Sequence, residues 1–134
     1  MDTKLESLDP KFQPLARTLL KALADADIPT RVINTRRTDA EQLQCLKNKV
    51  SWKKRSPHQD GLAIDVCPVA LLARKGWDPG NFLWAKVGEI GESVGLIWGG
   101  RWKVKDLDHF EMPKPGVGVV PKVTPAPPGS LSPP

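Results

Sequence analysis

The residues of greatest chemical interest are the histidines, because the sequence contains only two of them. His58 lies in the segment SPHQDGLAID (56–65) and His109 in the segment DLDHFE (106–111). Neutral imidazole is the commonest metal-binding side chain. Two imidazoles and one carboxylate, with a fourth position left for water, form an arrangement that catalytic zinc uses. The alternative is a pair of solvated loop histidines that never meet.

Asp65 is the best local candidate for the carboxylate. It interrupts the apolar run LAIDV (62–66), and a charge inside such a strand is costly unless it is paired or bound to a metal. A loop through Gly61 would bring His58 back over the end of this strand, so that His58 and Asp65 share one metal. The alternative is an ordinary aspartate at a strand end that caps the backbone or pairs with a cation.

The elements that must position these residues follow from the spacing of apolar residues. Helices are predicted over 11–26 and 81–94, and the capping-box pattern of Thr38 and Glu41 predicts another over about 39–48. The apolar side of the helix over 81–94 is predicted to be Phe82, Leu83, Trp84, Val87 and Ile90, and the helix over 39–48 carries Leu43, Cys45 and Leu46. Short strands are predicted over 31–35, 62–66, 96–98 and 107–111. The predicted fold class is α+β, with helices covering one small antiparallel sheet and the zinc site at that sheet.

The bulk properties fit one soluble domain. The chain has 134 residues, of which 40% are hydrophobic and 26% charged, which allows a single core. Residues 1–112 are predicted to form the domain, and the proline-rich residues 113–134 an extended or disordered tail. Cys45 and Cys67 are expected to be reduced, because the segment 1–6 lacks the pattern of a secretory signal.

Charge and hydropathy limit the partners. No apolar run reaches the ~18–20 residues that span a bilayer, so we expect no transmembrane segment. The net charge of +5 favours polyanions such as nucleic acid, an anionic membrane surface or an acidic wall polymer, and does not choose among them. A monomer is expected.

The two histidine segments together resemble the signature of a zinc peptidase family. The pattern is Ser-x-His-x-x-Gly-x-Ala-x-Asp over 56–65, followed by Asp-x-x-His over 106–109. It is typical of the D-alanyl-D-alanine carboxypeptidase and L-alanyl-D-glutamate endopeptidase family, which includes phage endolysins and vancomycin-resistance dipeptidases. The resemblance covers about residues 10–112. It implies that His58, Asp65 and His109 hold Zn²⁺.

The resemblance also implies a general base. The family places a carboxylate three residues before the last histidine, where it takes a proton from the attacking water. Asp106 occupies that position in this chain. Asp108 and Glu111 are rival bases, and Glu111 shares a strand face with His109, so that it can instead orient the imidazole. The motif, and not the spacing, favours Asp106.

A third block of the family is an arginine followed by Thr or Ser and a downstream glutamine. Arg37, Thr38 and Gln42 resemble this block, and the implied role of Arg37 is to stabilise the oxyanion. The family has an aromatic residue and a glycine before this arginine, whereas this chain has Thr35 and Arg36, so that Arg36 remains an alternative to Arg37.

Further residues are candidates for substrate contact. The resemblance assigns Ser56 and Gln42 to this role, and the segment WGGRW (98–102) adds Trp98 and Trp102 as walls of a cleft. The alternatives are loop hydrogen bonding for Ser56 and a core position for Trp98.

The endolysin-like WGGRW segment implies cleavage between L-alanine and D-glutamate in peptidoglycan stem peptides. The alternative within the family is a D-alanyl-D-alanine carboxypeptidase or dipeptidase. A phage or prophage endolysin would stay in the host cytoplasm until the membrane is permeabilised, and its positive charge would help it adhere to an anionic wall or outer-membrane surface.

An alternative of another class is a non-catalytic module with a structural zinc ion, in which the basic residues 47–55 bind nucleic acid or a wall polymer. A structural zinc site normally has four protein ligands, and only three good candidates are present. No specific nucleic-acid partner is therefore expected.

Overall fold

The computed structural model describes residues 2–48 and 56–113 and contains a small antiparallel sheet with helices packed against it. The helices are α1 (Gln13–Asp25), α2 (Asp39–Lys47) and α3 (Phe82–Ser93); the strands are β1 (Thr30–Asn34), β2 (Ala63–Pro68), β3 (Ile97–Trp98) and β4 (His109–Glu111). The strand order is β1-β2-β4-β3, and each neighbouring pair is antiparallel. The predicted α+β class is confirmed.

Two predicted segments lie partly or wholly outside the described residues. They are the basic loop, of which 49–55 are not described, and the proline-rich tail from 114 onward. The division into a domain over 1–112 and a tail over 113–134 therefore stays a prediction.

The two faces of the sheet carry different residues, because side chains alternate along each strand. Ile64 of β2 lies opposite Phe110 of β4, and the next residue, Asp65, lies opposite His109. Ile64 and Phe110 belong to the main hydrophobic core, which is completed mainly by α1 and α3 through Ala16, Leu19, Leu23 and Val87. The polar pair therefore lies on the face turned away from the main core.

Helix α1 is held in place by its apolar side and its ends. Pro14 lies in its first turn, where a proline removes no needed N–H group. Leu19 and Leu23 are one turn apart and fully buried, as the periodicity predicts. The helix ends just before Asp27, whose φ of 59° turns the chain towards β1.

Helix α2 begins with the predicted capping box. The Thr38 hydroxyl accepts from the Glu41 amide (3.1 Å), and the Glu41 carboxylate accepts from the Thr38 amide (3.0 Å). Leu43, one of the apolar residues that this helix carries, is 54% exposed. Gln42 is the buried residue of α2, because the side of the helix that meets the domain faces Arg37 rather than the core.

Helix α3 confirms most of its predicted apolar side but not Phe82, which is 67% exposed. The buried side of α3 is defined by Trp84, Val87, Gly88 and Gly91. Phe82 lies two residues before Trp84, which is about 200° around the helix. Its ring instead meets Lys86, whose Nζ lies 5.9 Å from the ring centroid.

None of the helices in the described parts of the chain is long and apolar enough to cross a membrane.

Candidate metal centre

The centre of the polar face is the pair formed by Asp65 on β2 and His109 on β4. The two residues are Cα partners across the antiparallel pair, so that their side chains point to the same face. His109 Nδ1 lies 3.2 Å from Asp65 Oδ1. Both side chains are buried.

His58 reaches the same carboxylate from the short 3-10 helix Pro57–Asp60, which immediately precedes β2. Its Nε2 lies 3.1 Å from Asp65 Oδ1. Gly61 makes this return possible with a φ of +71°, and a Cβ at this position would lie 2.6 Å from the backbone nitrogen of Asp9. Only glycine fits this turn without displacing the N-terminal segment.

The hydrogen bonds of the two imidazoles decide which nitrogens face the carboxylate. His58 Nδ1–H donates to the carbonyl oxygen of Thr35 (2.6 Å), and His109 Nε2–H donates to the carboxylate of Glu111 (2.8 Å). A carbonyl or a carboxylate only accepts, so both of these nitrogens carry a proton. His58 Nε2 and His109 Nδ1 are thereby turned towards Asp65.

The electrostatics of the site reflect this arrangement. Burial acts to raise the pKa of Asp65, but the hydrogen bonds with His109 and His58 outweigh it and hold the pKa of this carboxyl well below its ordinary range. Burial acts to lower the pKa of His109, whereas the hydrogen bonds with Asp65 and Glu111 raise that pKa to about 10. Without a cation, the second proton of His109 thus occupies the position next to the carboxylate.

This group of donors fits a zinc ion. His58 Nε2, Asp65 Oδ1 and His109 Nδ1 lie within 4.8 Å of one another. Ligands about 2.0–2.2 Å from a tetrahedral zinc ion lie roughly 3.3 Å apart, close to the 3.1 and 3.2 Å that separate Asp65 from the two imidazoles. Two nitrogens and one carboxylate oxygen are a set of ligands that catalytic zinc uses, and a cation would displace the proton on His109 Nδ1.

Asp106 lies at the edge of this group and its side chain is half exposed. Its Oδ2 is 3.9 Å from His109 Nδ1. The rival Asp108 is less suited to accept a proton, because burial, together with the charge of Asp65 and a hydrogen bond to Asp106, raises the pKa of Asp108 well above its ordinary value and so favours its protonated form. Glu111 is engaged by His109 Nε2. Of the three carboxylates, Asp106 is the most exposed.

Arg37 lies beside His58, since the Arg37 amide donates to the His58 carbonyl oxygen (2.9 Å). Its Nη1 donates to Gln42 Oε1 (2.6 Å), and its buried Nε–H has no partner in the described part of the chain. Arg36 instead directs Nη1 towards the Ser7 carbonyl oxygen (3.4 Å). Arg37 is therefore the arginine next to the site. Gln42 is only 1% exposed and holds the Arg37 guanidinium through this hydrogen bond. Direct substrate contact by Gln42 stays a prediction, which this burial disfavours.

The tryptophans differ in position. The ring centroid of Trp102 lies 5.2 Å from that of His109, beside the group of ligands. Trp98 belongs to the main core, and its indole N–H donates to the Leu107 carbonyl oxygen (2.8 Å). A cleft wall therefore fits Trp102, and the core alternative fits Trp98.

Ser56 caps the 3-10 helix. Its Oγ accepts from the His58 amide (3.2 Å), and its own amide donates to Gln59 Oε1 (2.7 Å). These contacts fit the loop role that the sequence left open, and a substrate contact by Ser56 stays a prediction.

Sequence reasoning missed two contributors near the site. The Thr35 carbonyl oxygen fixes the tautomer of His58, and a backbone acceptor leaves no signal in residue types. Asn34 is fully buried next to it. An asparagine inside the run RVINT (31–35) was a signal of the same kind as Asp65, because a buried polar side chain needs a partner.

Comparisons with known proteins found a matching family profile and a similar characterised protein. A family profile described as D-alanyl-D-alanine carboxypeptidase matches residues 49–112. The peptidoglycan L-alanyl-D-glutamate endopeptidase CwlK of Bacillus subtilis is 33% identical over an alignment of 125 residues, and the match covers 78% of this chain and 73% of CwlK.

Two solved structures have the same fold. The L-Ala D-Glu endopeptidase ChiX of Serratia marcescens superposes with a TM-score of 0.63 at 24% identity, covering 81% of this chain and 83% of ChiX. The vancomycin resistance D,D-pentapeptidase VanY from a VanB-type cassette, solved with Zn(II), superposes with a TM-score of 0.59 at 16% identity, covering 84% of this chain and 74% of VanY. At these identities the superpositions bear on the fold alone. The match to CwlK is 33% identical and covers more than two thirds of both chains. This chain therefore belongs to the D-alanyl-D-alanine carboxypeptidase and L-alanyl-D-glutamate endopeptidase family of zinc metallopeptidases.

Proposed function

We propose that this protein is a zinc-dependent peptidase that hydrolyses peptidoglycan stem peptides, and that its preferred bond joins L-alanine to D-glutamate. The observation that carries the proposal is the convergence of His58 Nε2, Asp65 Oδ1 and His109 Nδ1 within 4.8 Å. These residues would hold the ion. When bound, zinc supplies Lewis acidity, which lowers the pKa of water to about 7 and polarises a carbonyl.

The residues around the ligands would carry the proton and the charge of the reaction. Asp106 takes a proton from the water that attacks the scissile carbonyl carbon. The C–N bond then breaks, and Asp106 delivers the same proton to the leaving amine. The half exposure of its side chain and its 3.9 Å distance from His109 Nδ1 support this role.

Arg37 would stabilise the negative charge on the carbonyl oxygen as water adds. The hydrogen bond from Nη1 to Gln42 fixes the guanidinium plane, and the unpartnered Nε–H supports a donor held ready for an anionic oxygen. Trp102 would flank the peptide beside His109.

The choice of bond rests on the relatives. CwlK and ChiX carry names of L-alanyl-D-glutamate endopeptidases, and CwlK shares 33% identity with this chain. A D-alanyl-D-alanine carboxypeptidase is the second candidate, favoured by the description of the family profile and by VanYB, which was solved with D-Ala-D-Ala.

Release by a phage or prophage from the cytoplasm onto the wall is part of the proposal. The net charge of +5 supports adhesion of the protein to an anionic wall or outer-membrane surface.

Mass spectrometry of digested muropeptides separates the two candidates. Cleavage at the preferred bond leaves L-alanine on the glycan and frees a peptide that begins with D-glutamate, whereas the carboxypeptidase removes only the terminal D-alanine. Chelator should stop either release and added zinc should restore it. Unchanged release by His58→Ala, or in chelator, would contradict the metal mechanism.

Gly99 provides a test of how strictly Asp106 is positioned. The Gly99 carbonyl oxygen accepts from the amides of Trp102 (3.2 Å) and Asp106 (3.0 Å). A Cβ at Gly99 would lie 2.4 Å from the backbone oxygen of Asp106. Gly99→Ala must therefore displace Asp106, and we expect kcat to fall by about 10²-fold, the usual cost of a misplacement near 1 Å.

The matched control for Gly99→Ala is Gly80→Ala, since a Cβ at Gly80 meets nothing within 4 Å. Steady-state kinetics on a purified muropeptide should give parental values for Gly80→Ala. Parental kcat in Gly99→Ala would mean that Asp106 is not held where the reaction needs it.

A further inference from the structure

Asn34, the last residue of β1, has a buried polar side chain that lacks hydrogen-bond partners among the described residues. It is 0% exposed. Both its Oδ1 and its Nδ2 lack a hydrogen-bond partner in the described residues 2–48 and 56–113. Among the buried side-chain nitrogen and oxygen atoms of these residues, only Arg37 Nε is also without a partner. Leaving a carboxamide in this state lowers stability, because its hydration is lost and nothing replaces it. Such a group calls for a partner that appears in another state of the protein.

The register of the sheet identifies the neighbour of Asn34. Val32 pairs with Val66, but Asn34 pairs with Asp65, so that a bulge shifts the register between them. In a regular ladder Asn34 would pair with Ile64, which faces the main core. The bulge therefore turns Asn34 towards the face that carries Asp65, an effect for which bulges near functional sites are known. Side chains of directly opposite residues have Cβ atoms about 4.5–5.5 Å apart.

Oδ2 of Asp65 is the acceptor that lies on the same face as Asn34. Among the described residues, the Asp65 side chain lies within hydrogen-bond distance of His58 Nε2 (3.1 Å) and His109 Nδ1 (3.2 Å), and both contacts are made by Oδ1. A cation held between the imidazoles would take Oδ1 in place of its contacts with the two ring nitrogens, and Oδ2 would then need its own donor. Carboxylates that bind a metal are usually held by such hydrogen bonds, which set their orientation. A carboxamide supplies the donor without adding a charge next to the ion.

We propose that Asn34 is a positioning residue of the metal centre, which donates a hydrogen bond from Nδ2 to Asp65 Oδ2 when the centre holds zinc. The inference rests on the proposed function, since it assumes that Asp65 binds the ion. It predicts opposite effects of one substitution on the two states of the protein. Asn34→Leu removes the unmet polar atoms from the metal-free protein and removes the donor from the zinc-bound protein.

The test compares zinc affinity and melting temperature in the full chain. Competition with a chromophoric chelator should show zinc binding about 10–100-fold weaker in Asn34→Leu than in the parent, the range found when a partner of a metal ligand is lost. The melting temperature of the metal-free variant should equal or exceed that of the parent. With Co²⁺ as the probe, the visible d–d bands should change, because Asp65 is no longer held in one orientation.

Controls separate this inference from the proposed function. Asn48→Leu, an exposed asparagine at the end of α2, should keep parental zinc affinity. Parental affinity and Co²⁺ bands in Asn34→Leu, with a lowered metal-free melting temperature, would assign Asn34 a packing role and overturn the inference alone. A parent that binds no zinc would overturn both. If Asn34→Leu does not fold, Asn34→Ala serves for the same measurements, and weaker zinc binding is again the expected result.

Discussion

Asp65→Ala is expected to lose the zinc-dependent part of the protein's thermal stability together with its peptidase activity. Asp65 Oδ1 is the atom that both imidazoles contact, so that its removal takes away the centre of the site. Loss of a ligand's hydrogen-bond partner already weakens metal affinity 10–100-fold, and loss of the ligand itself should exceed about 100-fold. The reference for each variant is its own metal-free melting temperature.

The size of the effect follows from mass action. Zinc at about 100 times its dissociation constant stabilises the folded parent by about 2.7 kcal/mol, which corresponds to roughly 10–20 °C in the melting temperature of a domain of this size. Differential scanning calorimetry should show this rise for the parent and for Asp25→Ala, an exposed carboxylate on α1. A full rise in Asp65→Ala would remove Asp65 from the set of ligands.

The second large effect concerns the general base. Asp106→Asn should lower kcat by about 10²–10⁴-fold and leave zinc affinity close to that of the parent, because the three ligand atoms do not include Asp106. Single-turnover hydrolysis of a defined muropeptide and a chelator titration, performed on the same preparation, measure the two quantities.

Asp108→Asn is the matched control for this assignment. The raised pKa of Asp108, due to burial and to the carboxylates of Asp65 and Asp106, favours a neutral side chain that donates to Asp106. An asparagine amide can donate in the same way, so that Asp108→Asn should retain most of the activity. A large loss in Asp108→Asn with little loss in Asp106→Asn would transfer the role of base to Asp108.

The sequence predicted the parts of the site that depend on residue type. Asp65 stood out because it interrupts an apolar strand, and the turn at Gly61 was expected to return His58 to it. The structure brings these groups together. The capping box of α2 followed from Thr38 and Glu41 alone, because a cap is formed by residues close in sequence.

What the sequence did not predict depends on contacts between distant elements. The exposure of Phe82 follows from which side of α3 meets the sheet, and the burial of Gln42 from its bond to Arg37. The position of Asn34 depends on a bulge, which no residue between Val32 and Asn34 announces. Periodicity describes one element at a time, so that it misses such effects.

The alternation along β2 has a consequence for changes in chain length. The side chain of Asp65 lies in the metal centre, whereas those of Ile64 and Val66 on either side of it lie in the main core. Deleting or inserting one residue within Ala63–Pro68 would exchange these roles, since a strand slipped by one residue presents every side chain to the opposite face. Libraries that vary segment length should therefore spare this strand and use the turn at Gly80, where space is open.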